Sequence, residues 1–171
     1  VPNSSGLVTV DLVAGEHVFV EVAGFGRLGR YLLDGYADGI QVGDDFPNTI
    51  NMAQNYQTNV LVPGQDVSGS ISPDFDSDFL RFNITESGKF TIGAGASSGS
   101  KLDARLSLFQ KDISSQTWQL LATDDDGGDS VNAQIFQALD AGDYLVRVGS
   151  SRGTMGSYSL SLNQFVTQSQ T

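Results

Sequence analysis

The sequence predicts an all-β protein, an antiparallel β-sandwich with a jelly-roll-like wrap, and three observations carry that expectation. Short runs of alternating apolar and polar residues recur between turn signals, and no segment keeps a helical period over a useful length. Of the 20 acidic residues all but Glu16, Glu21 and Glu86 are aspartates, and there are 20 glycines. Aspartate and glycine make turns, whereas glutamate is what helical surfaces favour. The closing part of the pattern also occurs twice, as expected of repeated β modules.

Residues 7–13, 17–23 and 29–33 read as strands. A polar connection follows, in which 51–56 can make one short helical turn. Then come strands at 65–71, 78–84, 89–94, 104–110, 117–123, 131–138, 143–149 and 157–163. The repeat sets Ala14-Gly15-Glu16-His17-Val18-Phe19-Val20-Glu21-Val22 against Ala141-Gly142-Asp143-Tyr144-Leu145-Val146-Arg147-Val148. It then sets Leu28-Gly29-Arg30-Tyr31-Leu32-Leu33 against Met155-Gly156-Ser157-Tyr158-Ser159-Leu160. Two single-residue gaps bring the copies into line.

The repeat resolves an ambiguity. Gly24-Phe25-Gly26-Arg27-Leu28-Gly29 is a literal G-x-G-x-x-G, the turn that cradles a pyrophosphate when a strand enters it and a helix leaves. In the second copy the residues after the matching glycine, Tyr158-Ser159-Leu160-Ser161-Leu162, alternate with period two and form a strand. The glycines of the first copy therefore serve a hairpin loop. The organisation that follows is residues 1–35 as the closing strands of a first module, 36–63 as a linker, 64–164 as a complete module and 165–171 as a polar tail. Strands within 7–35 have no full partner sheet. They are expected to pair on the complete module or with another chain, which makes strand-mediated self-association a candidate property.

The 171 residues are 39% hydrophobic with a formal net charge of −11. That is a folded chain, and its acidity argues against nucleic acid and anionic membrane as partners. No apolar run approaches a membrane span, and none reads as a signal peptide. There is no cysteine, so disulfides and thiolate metal sites are excluded and calcium is the staple that remains.

Several stretches, in order, resemble the bacterial pre-peptidase C-terminal domain family, the β-sandwich modules appended to secreted proteases and other exoenzymes. The collagen-binding modules of clostridial collagenases are similar. Asp44-Asp45-Phe46-Pro47-Asn48-Thr49 with Ala53 is similar to the acidic lead-in, with Asp where the collagenase type has Glu. Val67-Ser68-Gly69-Ser70-Ile71 resembles the first strand, and Asp76-Ser77-Asp78-Phe79-Leu80-Arg81-Phe82 the D-x-D-aromatic signature. Leu106-Ser107-Leu108-Phe109 and Thr123-Asp124-Asp125-Asp126-Gly127-Gly128 fit the central hairpin. The segments 139–148 and 156–160 fit the closing pair. The resemblance implies a secreted, extracellular bacterial module with no catalysis of its own, working beside the domains of a parent exoenzyme.

Two acidic clusters could supply the six to eight oxygens that calcium takes. The first is Asp74, Asp76 and Asp78, joined by Asp44, Asp45 and Asn48 from the linker. Residues 76 and 78 share one side of a strand, and carboxylates held together without a cation repel. The second is Asp124, Asp125, Asp126 and Asp129 around Gly127-Gly128. The same residues are what hairpin turns use, and for the second cluster both readings stay open. The resemblance adds to the calcium reading of the first, which implies a bound ion pinning the linker to the module.

Catalytic constellations are declined. Gly149-Ser150-Ser151-Arg152-Gly153 is a formal G-x-S-x-G, but a nucleophile elbow joins a strand to a helix and this one joins two strands. The single histidine, His17, lies in the partial module. Aspartates on turns lack the apolar pocket that makes a general acid. Among the aromatics, Tyr144 and Tyr158 read as core. Trp118 follows a polar run, and an exposed aromatic on a sheet face suits a collagen-like protein or a polysaccharide. The leading expectation is thus a calcium-stabilised, non-catalytic accessory module aiding substrate binding, folding or processing. The alternative is a structural spacer of a tandem-repeat surface or secreted protein.

Overall fold

The computed structural model describes residues 36–37, 40–41, 44–55, 59–72, 76–128 and 132–165. The expected strands at 7–13, 17–23 and 29–33, the glycine-rich loop between them, His17, Asp74, Asp129 and residues 166–171 lie outside the described residues.

Along the chain the elements are β1 (Tyr36–Ala37), β2 (Ile40–Gln41), α1 (Ile50–Ala53), β3 (Val67–Ile71), β4 (Asp78–Ile84) and β5 (Gly88–Ala96). They continue with β6 (Ala104–Asp112), β7 (Thr117–Asp124), β8 (Ala133–Leu139), β9 (Gly142–Ser150) and β10 (Gly156–Phe165). Among the described residues β1 and β2 pair with each other. Among the described residues the other eight strands make two four-stranded antiparallel sheets, ordered β3-β10-β5-β8 and β4-β9-β6-β7. The predicted sandwich is the one observed.

The pairing is nested. β3 pairs with β10, β4 with β9, β5 with β8 and β6 with β7. The chain thus behaves as one long hairpin whose outgoing strands alternate between the two sheets and whose returning strands follow them, which is the jelly-roll wrap. The central β6–β7 hairpin turns at 113–116, where Gln116 takes a φ of 56° and Asp112 accepts from the Ser114 and Ser115 amides and hydroxyls.

Period-two alternation fills the space between the sheets. β10 buries Tyr158, Leu160 and Leu162, and β5 buries Phe90, Ile92 and Ala94. From the facing sheet come Leu80, Phe82 and Ile84 of β4, Leu106 and Leu108 of β6, and Tyr144, Val146 and Val148 of β9. Tyr144 stacks on Phe82 at a centroid distance of 5.3 Å, and its hydroxyl donates to the Asp140 carbonyl at 2.8 Å. That bond fixes the β8–β9 corner. β5 is longer than predicted because Gly95 and Ala96, which carry no apolar period, still pair with Ser159 and Tyr158.

Residues 44–62, expected as linker, are stitched to the edge of β4. The Phe79 amide donates to the Pro47 carbonyl, Arg81 N–H to the Asn59 carbonyl and Leu61 N–H to the Arg81 carbonyl. An open sheet edge would otherwise expose these groups. Thr49 caps α1, its hydroxyl accepting from the Met52 amide. Four residues cannot hold a helix alone. Ala53 and Ile50 anchor this one in a second small core with Phe79, Leu145, Phe109 and Trp118 on the outer face of the β4 sheet. Asn59 is fully buried at the join and donates from its amide nitrogen to the carbonyls of Phe79 and Ala53.

Candidate metal centre at the corner of the sandwich

β4 carries Leu80, Phe82 and Ile84 inward, and Asp78 occupies the next inward position of the same strand. A carboxylate therefore stands at the end of an apolar row, with no solvent exposure. Across the interior Tyr158 of β10 donates its hydroxyl to Asp78 Oδ2 at 2.6 Å. This is a polar bond between the two sheets. The other oxygen, Asp78 Oδ1, is buried and has no hydrogen-bond partner.

The segment 44–48 brings two further carboxylates. Asp44, Asp45 and Asp78 each offer an oxygen, and these lie within 4.8 Å of one another. Two oxygens bound to one calcium ion at ordinary distances of about 2.3–2.6 Å lie no more than about 5 Å apart, so the spacing fits that ion. Backbone amides hold the group in place. Asp45 Oδ2 accepts from Ser70 N–H of β3 at 2.7 Å, and Asp44 Oδ1 accepts from Asp45 N–H at 2.9 Å. Asn48 spans the loop, donating to Asp44 Oδ2 at 2.7 Å and accepting from Ser77 N–H at 2.8 Å. Its amide thus orients the others. Asp76 accepts from Ser72 N–H through Oδ2, while its Oδ1 is buried without a partner.

The electrostatics are those of a site short of positive charge. Burial pushes the Asp78 carboxyl up to about 9; the Tyr158 hydrogen bond pulls against this, and the charges of Asp45, Asp76 and Asp44 add to it. Burial also raises Asp44, Asp45 and Asp76 above the ordinary carboxylate range. Burial and the neighbouring Asp78 charge raise the Tyr158 phenol, which therefore stays the donor. Desolvation and like-charge repulsion both disfavour ionised carboxylates. A divalent cation among these oxygens would oppose both.

The second predicted cluster is arranged differently. Asp124 Oδ2 accepts from Gly127 N–H at 2.7 Å and from Gln134 N–H at 2.8 Å, closing the turn after β7 and tying it to β8. A side chain at Gly127 would strike that carboxylate. Asp125 and Asp126 are exposed, and Asp129 lies outside the described residues. Among the described residues the acidic group that converges closely is Asp44, Asp45 and Asp78.

Trp118 is half-buried against the second core, and its Nε1 donates to Gln54 Oε1 of the segment after α1 at 3.3 Å. It edges a cleft of about 320 Å³ shared with Gln54, Val60, Arg81, Lys111 and Asp143. Ser150 ends β9, its hydroxyl donating to the Ser151 carbonyl, and the serine-containing motif runs into a strand-to-strand turn with Arg152 and Gly153 at positive φ. Sequence reasoning missed Tyr158 as the partner of Asp78 and Asn59 as the clasp of the 44–62 segment. For Tyr158 a signal existed in Gly69, a glycine inside a strand whose place the ring needs.

The fold and this corner define a jelly-roll module with a cluster of carboxylates at one edge. The pre-peptidase C-terminal domain of collagenase from Bacillus anthracis has a similar structure, with a TM-score of 0.50 and 17% identity over 61% of this chain and 93% of that domain. The likeness is one of fold, and it agrees with the family resemblance read from the motifs. A periplasmic inhibitor of g-type lysozyme from Aeromonas hydrophila aligns over 61% of this chain and 96% of its own, with a TM-score of 0.39 and 21% identity. No family profile and no curated protein matches the sequence.

Proposed function

We propose that the chain is a calcium-stabilised, non-catalytic accessory module of a secreted bacterial exoenzyme of the protease type. The observation that carries this is Asp78, a wholly buried carboxylate with one orphaned oxygen, facing Asp44 and Asp45 from a separate segment. Such an arrangement is costly when ionised and uncompensated, and a calcium ion relieves it. The ion would be held by Asp44, Asp45 and Asp78 with Asp76 beside them, and it would supply charge and cross-linking, not chemistry. It would bind the 44–48 loop to both sheets. The fold similarity to a pre-peptidase C-terminal domain of a collagenase is in keeping with the accessory role. Trp118 and its cleft are the candidate contact for an extracellular protein or polysaccharide substrate.

The test is calorimetric titration of EDTA-stripped protein with calcium at neutral pH. The expected result is saturable binding with a Kd of about 10⁻³ M or tighter, abolished by Asp78→Asn. Absence of calcium binding would remove the metal from the account. Co-sedimentation with insoluble collagen or polysaccharide, lost in Trp118→Ala, separates a substrate-binding module from a plain spacer.

A further inference from the structure

The outer face of the β4-β9-β6-β7 sheet carries two arginines side by side. In the β6–β9 register Ser107 opposes Arg147 and Gly149 opposes Arg105, so Arg105 and Arg147 are diagonal neighbours on one face. The Arg147 guanidinium folds back over Gly149, its Nη2 standing 3.5 Å from where a Cβ would project there. It donates to Ser77 Oγ at 2.7 Å. Gly149 thus gives the Arg147 guanidinium room to lie flat on β9. Among the described residues neither arginine forms an ion pair, and the charge that bears on Arg147 is the like charge of Arg105. In a chain of net charge −11, two cations held together without an acid form a local exception.

A groove of about 700 Å³ opens beside Arg147. Its apolar lining is Ile71, Phe79 and Met155, with the hydroxyl groups of Ser72, Ser150 and Thr154 between them. Met155 is half exposed at its rim, and Asp76 lies on its wall.

We propose that this corner docks an acidic segment of polypeptide, an Asp or Glu carboxylate taken by the Arg147–Arg105 pair and a neighbouring apolar side chain laid against Met155. A guanidinium presents a fork that a carboxylate accepts, and Arg147 on the groove wall has Arg105 as its diagonal neighbour on the adjoining strand. Asp76, which also lines the groove, disfavours a second carboxylate beside it. The apolar lining decides against a sulfated or uronic glycan, which would match the charge but has no aliphatic side chain to bury. Methionine at the rim suits varied apolar side chains.

The experiment is fluorescence anisotropy with the full chain at low ionic strength in EDTA, so that no metal ion bridges carboxylates. The probes are a labelled peptide of alternating Glu and Leu, the same length of alternating Glu and Gly, and a labelled heparin fragment. The Glu–Leu peptide is expected to bind tightest, to weaken with salt and to lose about tenfold in affinity in Arg147→Gln and in Arg105→Gln. Lys89→Gln, which removes a like charge from the other sheet, is expected to leave binding unchanged. No binding of the Glu–Leu peptide, tighter binding of heparin, or an equal loss in Lys89→Gln would each overturn the proposal.

Discussion

Tyr158 lies across Gly69. The two residues face each other in the β3–β10 register, and a Cβ on Gly69 would run into the Tyr158 hydroxyl group. The ring therefore takes the space that a side chain on β3 would fill, and so its hydroxyl reaches Asp78. A glycine, a tyrosine and an aspartate on three strands make one device that sets the buried carboxylate at the mouth of the sandwich.

Gly69→Ala should destabilise the protein by about 1–3 kcal/mol, the usual cost of inserting a methyl group into a packed interior. Urea unfolding measures this. The tyrosine would have to move, so the variant should also weaken calcium binding, a loss that a purely global effect would not give under fully folded conditions.

Tyr158→Phe keeps the ring and removes the donor. Asp78 would then lose its hydrogen bond as well, and the expected cost is about 1–3 kcal/mol for a buried polar group left unsatisfied. Thermal unfolding in EDTA at neutral pH reads it. Calcium should recover more stability in this variant than in the parent chain.

Asp78→Asn should change metal-free stability by no more than about 1 kcal/mol, since a neutral amide can still accept from Tyr158 and no charge is buried. The response to calcium should vanish. Retention of the full calcium response in this variant would contradict the assignment of the site.

The pH dependence has a definite sign. The carboxyl groups of Asp44, Asp45, Asp76 and Asp78 are raised in the folded state, Asp78 to about 9 from 3.8. The folded protein then binds more protons than the unfolded chain, so stability falls as pH rises. For Asp78 the window runs from about pH 4 to about pH 9, while Asp112, lowered to about 2 by the Ser114 and Ser115 groups, acts below that window and in the opposite direction. The expectation is a metal-free protein that melts higher at pH 5 than at pH 8, with calcium flattening or reversing the slope. Melting curves across that range with EDTA and with calcium decide it.

Asn59→Ala removes the side chain that joins α1 to β4 and should cost about 1–3 kcal/mol. The local sign is faster hydrogen exchange at the Arg81 and Leu61 amides, whose bonds run to and beside Asn59.

Most strands of the sandwich were legible because they bury one face, and period two in Leu80, Phe82, Ile84 or Tyr158, Leu160, Leu162 states which face it is. The acidic corner was legible in part. Asp78 shares its register with the buried residues of β4, and the lead-in Asp44-Asp45 was placed beside it by resemblance to a family. Its polar partners were hidden, because the backbone amides of Ser70 and Ser77 are available in any sequence and only the fold aims them. The role of residues 44–62 was hidden for a related reason. Their bonds to β4 use main-chain groups of Pro47, Asn59 and Leu61, which leave no side-chain pattern, and the one informative side chain, Asn59, reads as loop. At Asp124 the chemistry of turns and that of calcium use the same residues, and only the Gly127 and Gln134 amides show which task its Oδ2 performs.

The most direct test of the cation site is the melting temperature of EDTA-stripped protein at pH 7.5, measured alone and with calcium or magnesium at about a hundredfold over the calcium Kd found by titration. Calcium at about a hundredfold over its Kd stabilises by about 2.7 kcal/mol, which for a domain of this size is a rise of about 5–10 °C. The account predicts that rise with calcium and little or none with magnesium. An unchanged melting temperature in calcium would contradict it and leave Asp78 as a protonated acid held by Tyr158.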